Sequence, residues 1–341
     1  DSWMLANGDS FDGDAYPAFL SYLSGSKSKW EDFQKVNGMT LPDGTSDNQG
    51  FYKIGEYFFI NRSNTYDVSR DLQSWVSISV PSNTWLRCIL YDSGVYKFCG
   101  VNYSSSKTVI GIASNPMVSP TWTVTGMSSV FLERASMDAP VFKYNNYYIA
   151  GYNNDVGSAS SKYTWGRYYT TDLLGSSYST AELAYRDPSY YLIKNLLINS
   201  VLCAMFGSTS NSPSIYIRTY LSVSSTDELN SIQIGYGKIV GGILIIGNAI
   251  YMIIYSSSVD KFKVFYSTTS AQYQEVSGIS GTPRCLAKGD DGLAYLITSQ
   301  KKIYKLNGTT ATAVGTVTST GEPAGFNEFY YSNDLIAYGA T

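Results

Sequence analysis

Apolar and polar residues alternate along most of this chain in short runs, broken by Gly, Asn and Ser. The stretch 138–152, DAPVFKYNNYYIAGY, holds the whole pattern. Val141, Phe142 and Tyr144 lead into Asn145-Asn146, and residues 147–150 lead out. Asn tolerates the positive φ of a tight two-residue turn, and β-branched and aromatic residues fit pleated flanks. The stretch predicts a β-hairpin. The same pattern recurs, so that the predicted hairpins are 51–54 with 57–61, 86–91 with 95–100, 141–144 with 147–152, 190–194 with 201–206, 239–246 with 249–255, 284–288 with 293–298, and 328–331 with 335–338.

A second, outer hairpin follows six of these seven. Its signature is a Ser/Thr-rich run, a polar or acidic turn, then an aromatic or apolar residue. The copies are SRDLQSW (69–75), ASNPMVSPTW (113–122), TTDLLGSSY (170–178), SSTDELNSI (224–232), STTSAQY (267–273) and LNGTTATAV (306–314). Their last residues are spaced by 47, 56, 54, 41 and 41. A four-stranded unit of roughly 40–50 residues is the size of a propeller blade. The fold class expected is therefore an all-β propeller over 28–341, with its blades in 50–341. Residues 33–38 (FQKVNG) resemble 273–278 (YQEVSG), so 28–39 is expected to supply the last blade's outer strand and remove an open edge. That closure favours seven blades, with six as the alternative. Only 15–23 (AYPAFLSYL) predicts a helix, with Pro17 in its first turn.

The front, 1–27, departs from the blade pattern. Trp3, Met4, Leu5, Asn7, Gly8, Tyr16, Pro17, Ala18, Phe19, Leu41, Pro42 and Asp43 resemble the tail-collar motif of bacteriophage tail-fibre proteins. The resemblance covers about the first 45 residues. It implies a distal tail or spike component that binds a host surface glycan or protein, attaches to other virion proteins, and works outside the cell as part of the virion. It also implies a homo-oligomer, because spikes are symmetric. The alternative for this segment is a helix that caps the propeller.

Composition narrows the chemistry. Only 15% of the 341 residues are charged, and polarity comes from hydroxyls and amides, with 31 Tyr. The net charge is −3 and no Lys/Arg cluster is present, which argues against nucleic-acid partners. Lys301 and Lys302 read as guards of a strand edge. With no His, His-based triads and His-ligated zinc are excluded. No run of 18 apolar residues predicts membrane insertion. Cys88 and Cys99 flank the turn at Ser93-Gly94 and are expected to face each other. Either a disulfide or two buried thiols fits that placement; the geometric demands of a cross-strand bridge favour thiols.

Candidate chemistry sits ahead of the innermost strands. Ser69-Arg70-Asp71-Leu72-Gln73-Ser74-Trp75 resembles the structural turn of propeller glycoside hydrolases and the Asp-box of sialidases, in which the Asp caps the turn. Asp138-Ala139-Pro140-Val141-Phe142 resembles the start of an inner strand in furanosidase-type propellers, where carboxylates act as acid and nucleophile. Asp187 holds the same place one blade later, and Glu133 and Glu322 complete that catalytic set. A retaining glycosidase needs its carboxyls about 5 Å apart and an inverting one about 6.5–9.5 Å. Arg134, Arg186 and Arg284 are the arginines of the same expected ring around one mouth of the channel, and a sialidase-like reading would use them together. Trp85 and Trp165 offer flat faces for a sugar ring. The bland alternative is that these charges cap strands and pair with each other. No cofactor is expected beyond a structural calcium ion at 153–155 or 290–292, where turn chemistry is the favoured reading. The expected function is non-enzymatic receptor binding; a propeller glycoside hydrolase and a purely structural virion component are the competitors.

Overall fold

The computed structural model describes residues 51–61, 64–71, 74–132, 135–137, 139–154, 164–183, 190–208, 214–226, 229–256, 261–289, 291–316, 329–331 and 336–338. The predicted helix at 15–23, the collar-like segment 1–27 and the closing strand 28–39 lie outside them.

The chain is a β-propeller of six four-stranded antiparallel blades. Blade 1 is β1 (Phe51–Ile54), β2 (Tyr57–Asn61), β3 (Thr65–Ser69) and β4 (Val76–Ser79). Blade 2 is β5 (Thr84–Asp92), β6 (Val95–Asn102), β7 (Lys107–Ala113) and β8 (Thr121–Ser128). Blade 3 is β9 (Phe142–Tyr144), β10 (Tyr147–Asn154), β11 (Thr164–Thr170) and β12 (Ser179–Leu183). Blade 4 is β13 (Tyr190–Ile198), β14 (Val201–Ser208), β15 (Ser214–Tyr220) and β16 (Asn230–Tyr236). Blade 5 is β17 (Lys238–Ile246), β18 (Ala249–Ser256), β19 (Lys261–Thr268) and β20 (Ala271–Glu275). Blade 6 is β21 (Pro283–Lys288), β22 (Ala294–Thr298), β23 (Lys302–Asn307) and β24 (Thr310–Thr316). One 3₁₀ turn, Ser129–Leu132, follows blade 2.

All seven predicted inner hairpins form, and all six outer signatures fall between the third and fourth strands of a blade. The seventh hairpin is the two-stranded pair β25 (Phe329–Tyr331) and β26 (Ile336–Tyr338), with β25 beside β21. Among the described residues the number of complete blades is thus six, the alternative count, rather than seven. After β24 the described chain supplies one two-stranded sheet, two strands short of another blade.

The turns behave as their chemistry dictates. Ser93 and Gly94 take φ of 55° and 82°, and Asn145 takes 52°, the left-handed values that close a two-residue hairpin. Asp71 accepts from the Ser74 amide (2.8 Å) and the Ser69 hydroxyl (3.1 Å), the turn-capping role expected of it. Asp291 accepts from the Leu293 amide and the Tyr295 hydroxyl, so this carboxylate is engaged in its own turn.

Each strand feeds two cores. In β14, Leu202, Ala204 and Phe206 pack toward blade 3, while Cys203 and Met205 pack toward blade 5. In β18, Ile250, Met252 and Ile254 face blade 4, and Tyr251 and Ile253 face blade 6. Period-2 alternation is here apolar on both sides, because a blade has a neighbour on each face. The far faces of the first and last blades are covered too: Ile60 of blade 1 and Ile297 and Ile303 of blade 6 are buried. Burying one such side chain contributes roughly 1.5–3 kcal/mol.

Tyrosine supplies rings to these seams and hydroxyls to their rims. Tyr66 stacks on Phe98 of blade 2 at 4.7 Å and donates to the Pro116 carbonyl; burial pushes its pKa well above the usual tyrosine value. The Tyr96 hydroxyl accepts from the Glu56 amide of blade 1, and the Tyr251 hydroxyl accepts from the Gly308 amide of blade 6. Cys88 pairs with Cys99 across β5 and β6, and both are buried free thiols in the seam between blades 2 and 3.

Two features of the packing give measurable expectations. Trp122 lies across from Gly111 in the ladder, and a Cβ on Gly111 would sit 2.8 Å from the indole ring. Gly111→Ala is expected to lose about 1–3 kcal/mol in urea unfolding; an unchanged midpoint would show that the indole moves freely. Arg167, on β11, is fully buried between blades 3 and 4. Its guanidinium lies 4.3 Å from the Tyr220 ring centroid and donates once, to the Ser222 carbonyl, while Nε and a second nitrogen have no partner. Desolvation pulls its pKa down to about 10, so the fold disfavours this charge. Arg167→Met is therefore expected to unfold no earlier than the parent, whereas Arg167→Ala, which leaves a void, loses about 2–5 kcal/mol.

Candidate functional site

Antiparallel order gives the ring two unlike faces. On one lie the turns between first and second strands. On the other the innermost strands begin.

The turn face carries a polar clamp between blades 2 and 3. Asp92, at the end of β5, accepts from Lys97 on β6 (2.7 Å), from Tyr148 on β10 (2.8 Å), and from Lys143 on β9 (3.0 Å). Ser93 donates to it as well, at 3.0 Å. Lys97 also donates to the Tyr148 hydroxyl, with its ammonium 4.5 Å from that ring's centroid. The Asp92 side chain is only 11% exposed and that of Lys97 17%. The hydrogen bond from Lys97 holds the Asp92 carboxyl well below the usual carboxylate range; desolvation opposes this, and Lys143, Tyr148 and Ser93 add to it. For Lys97, desolvation acts downward but the bonds to Asp92 and Tyr148 outweigh it, so its pKa is raised. The cluster is saturated with its own bonds, which suits it to hold blades together. Sequence reasoning missed it. The available signal was Lys97 itself, flanked by Tyr96 and Phe98 in a strand buried on both faces.

The opposite face is built by bulges. In β5 the ladder slips between Leu86 and Cys88, in β13 between Leu192 and Lys194, in β17 between Ile239 and Ile243, and in β21 between Pro283 and Cys285. All four slips fall at the leading end of an innermost strand. A bulge leaves a residue without a cross-strand partner and re-aims its side chain. The residues left out in β5 and β21 are Arg87 and Arg284. Both are partly buried, and Nε of each is buried without a hydrogen-bond partner. Neither forms an ion pair among the described residues. The Arg87 guanidinium lies 5.2 Å from the ring centroid of Trp85, which is 50% exposed. The turn that follows β6 lies alongside, where the Tyr103 amide donates to the Asn83 carbonyl at 3.1 Å and Tyr103 is exposed.

Of the residues singled out from sequence, Arg284 is at the leading end of an innermost strand, where it was expected, and Trp85 is at the leading end of another. Trp165 is on β11, the third strand of blade 3, opposite Asn153 and Leu183, and not on an innermost strand. Glu133, Arg134, Asp138, Arg186, Asp187 and Glu322 lie outside the described residues. Arg87 was missed, although the sequence marks it: Leu86-Arg87-Cys88 and Pro283-Arg284-Cys285 repeat the Arg-Cys pair at equivalent places in two blades. Among the described residues no group of three or more His, Cys, Asp or Glu is arranged to hold a metal ion.

No family profile and no curated protein sequence matches the chain. Solved structures match it in shape. A puromycin hydrolase is 9% identical with a TM-score of 0.56, over 86% of this chain and 50% of that one. A puromycin-hydrolysing peptidase of Mycobacterium tuberculosis is 7% identical with a TM-score of 0.54, over 85% and 49%. The Swd1 β-propeller domain of Myceliophteria thermophila is 10% identical with a TM-score of 0.52, over 88% and 95%. The chain spans about half the length of the two hydrolases. What these likenesses define is the architecture, a β-propeller.

The clamp makes stability depend on pH. Asp92→Asn leaves Lys97 and Tyr148 with a poorer partner and should lose about 1–3 kcal/mol near pH 7. The carboxylate's contribution is complete above its ordinary pKa of about 4 and fades as pH falls through its lower folded value. Lys97's contribution is complete below about 10.4 and fades above it. The stability gap between parent and variant, read by thermal unfolding, should stay constant from about pH 5 to 9 and narrow outside that window.

Proposed function

We propose that this chain is a non-enzymatic receptor-binding or adhesion protein of a phage or other virion, which engages a host surface glycan or protein through its bulged face. The observation that carries the reading is Trp85. Half of its surface is in water, beside Arg87, which has no ion pair among the described residues, at the mouth of the ring. An indole left exposed on a rigid strand is a large contact surface at little entropic cost. The collar-like front, with Trp3, Tyr16, Pro17, Leu41 and Pro42, supports attachment to other virion proteins and hence a symmetric assembly. The hydroxyl-rich, weakly charged composition suits a surface that works outside the cell.

The competing hydrolase reading rests on Asp138, Asp187, Glu133 and Glu322, none of them among the described residues.

Adsorption competition tests the proposal. The purified chain should bind host cells and lower virion adsorption. Trp85→Ala should weaken cell binding about tenfold with no change in thermal midpoint. A chain that neither binds cells nor blocks infection would reduce the propeller to a purely structural part.

A further inference from the structure

Among the described residues, two arginines of the bulged face stand outside any ion pair. Arg87 and Arg284 occupy the same bulge on two non-neighbouring blades, each followed by a buried Cys. Each keeps a buried, unbonded Nε, and neither meets a carboxylate among the described residues. Partly desolvated guanidinium without a counter-charge costs free energy, and the bulges hold both side chains out of the ladder, where a partner from solution can reach them. Guanidinium presents a planar fork that matches a carboxylate. Beside Arg87 stands the half-exposed Trp85, a flat apolar face of the kind that stacks on the C–H side of a pyranose ring. A ring platform and a carboxylate fork on one strand describe an acidic sugar.

We propose that Trp85 and Arg87 form a recognition site for a carboxylate-bearing saccharide, and that Arg284 is a second anchor for further acidic units of an extended chain. The inference rests on the glycan-binding reading above and narrows it to one ligand class. Arg87 reads the carboxylate, Trp85 carries the ring, and Arg284, on another blade, takes a further acidic unit of a polymer. On the turn face, Lys97 and Lys143 are already bonded to Asp92.

The test is a glycan array holding uronate and sialylated saccharides beside neutral glucans and galactans, probed with the full chain. It is followed by titration with polygalacturonate and with its methyl ester, which keeps the backbone and removes the charge. Binding to carboxylated saccharides, weakened roughly ten- to hundredfold by esterification and by Arg87→Gln and lowered by salt, is the expected result. Arg87→Lys should recover only part of it, since an ammonium lacks the fork. Arg284→Gln should weaken the polymer and leave a monosaccharide uronate unchanged. Because Arg87→Gln alters a partly buried position, Trp85→Ala, at an exposed one, is measured beside it; loss of uronate binding with an unchanged thermal midpoint supports the site. Binding to neutral glycans, or equal binding of the methyl ester, overturns the acidic assignment and leaves glycan recognition standing. Binding to no glycan at all, with cell adsorption intact, overturns both in favour of a protein receptor.

Discussion

Everything in this ring depends on burial of both faces of every blade. A sheet with one wet face can place polar residues on alternate positions at no cost. A propeller blade has no wet face along its middle strands. Leu202, Ala204 and Phe206 go one way and Cys203 and Met205 the other, so the sequence of such a strand reads as a continuous apolar run. Any polar group placed there must bring its own partner or carry the desolvation penalty. Lys97 meets that condition with Asp92 and Tyr148. Arg167 meets it poorly, with one hydrogen bond and one aromatic face.

The same constraint separates the two faces of the ring. Contacts that tie blades together gather where the turns are: Glu56 with Tyr96, Lys143 and Tyr148 with Asp92, Asn199 with Asn248, Gly308 with Tyr251. Those turns are short and their polar groups are used up. At the other face the ladders slip, and side chains leave the register without finding a bond inside the described fold. The interblade bonds of the turns and the displaced arginines of the bulges thus sit at opposite ends of the same strands.

How much of this was legible in advance follows from the range of each interaction. The seven hairpins could be read because a turn pair and its flanks are local. Ser93-Gly94 and Asn145-Asn146 announce themselves within ten residues. The outer hairpins could be read because their polar caps recur at blade spacing. The number of complete blades was harder, since the seventh hairpin matches the others in sequence yet is followed by no third and fourth strand among the described residues. At the site, Arg284 was legible as a charge ahead of an inner strand, and Trp85 only as a flat ring without a place in the fold. Arg87 was not, because a bulge is a mismatch between two strands and neither strand shows it alone. The Asp92 clamp was hidden for a related reason: Tyr148 is 56 residues away, and only the docking of two blades brings them together.

The clamp also has a mechanical consequence. Apolar seams resist being pulled apart, but dispersion and the hydrophobic effect are non-directional, so two greasy faces can slide past each other while losing little area. Hydrogen bonds and ion pairs are directional and short. A displacement of one rung along the seam between blades 2 and 3 would break the bonds of Tyr148 and Lys143 to Asp92 together. Asp92 is therefore a shear pin: in a seam whose apolar cohesion comes from Phe131, Leu132 and Val141, it fixes where along its length that seam comes to rest.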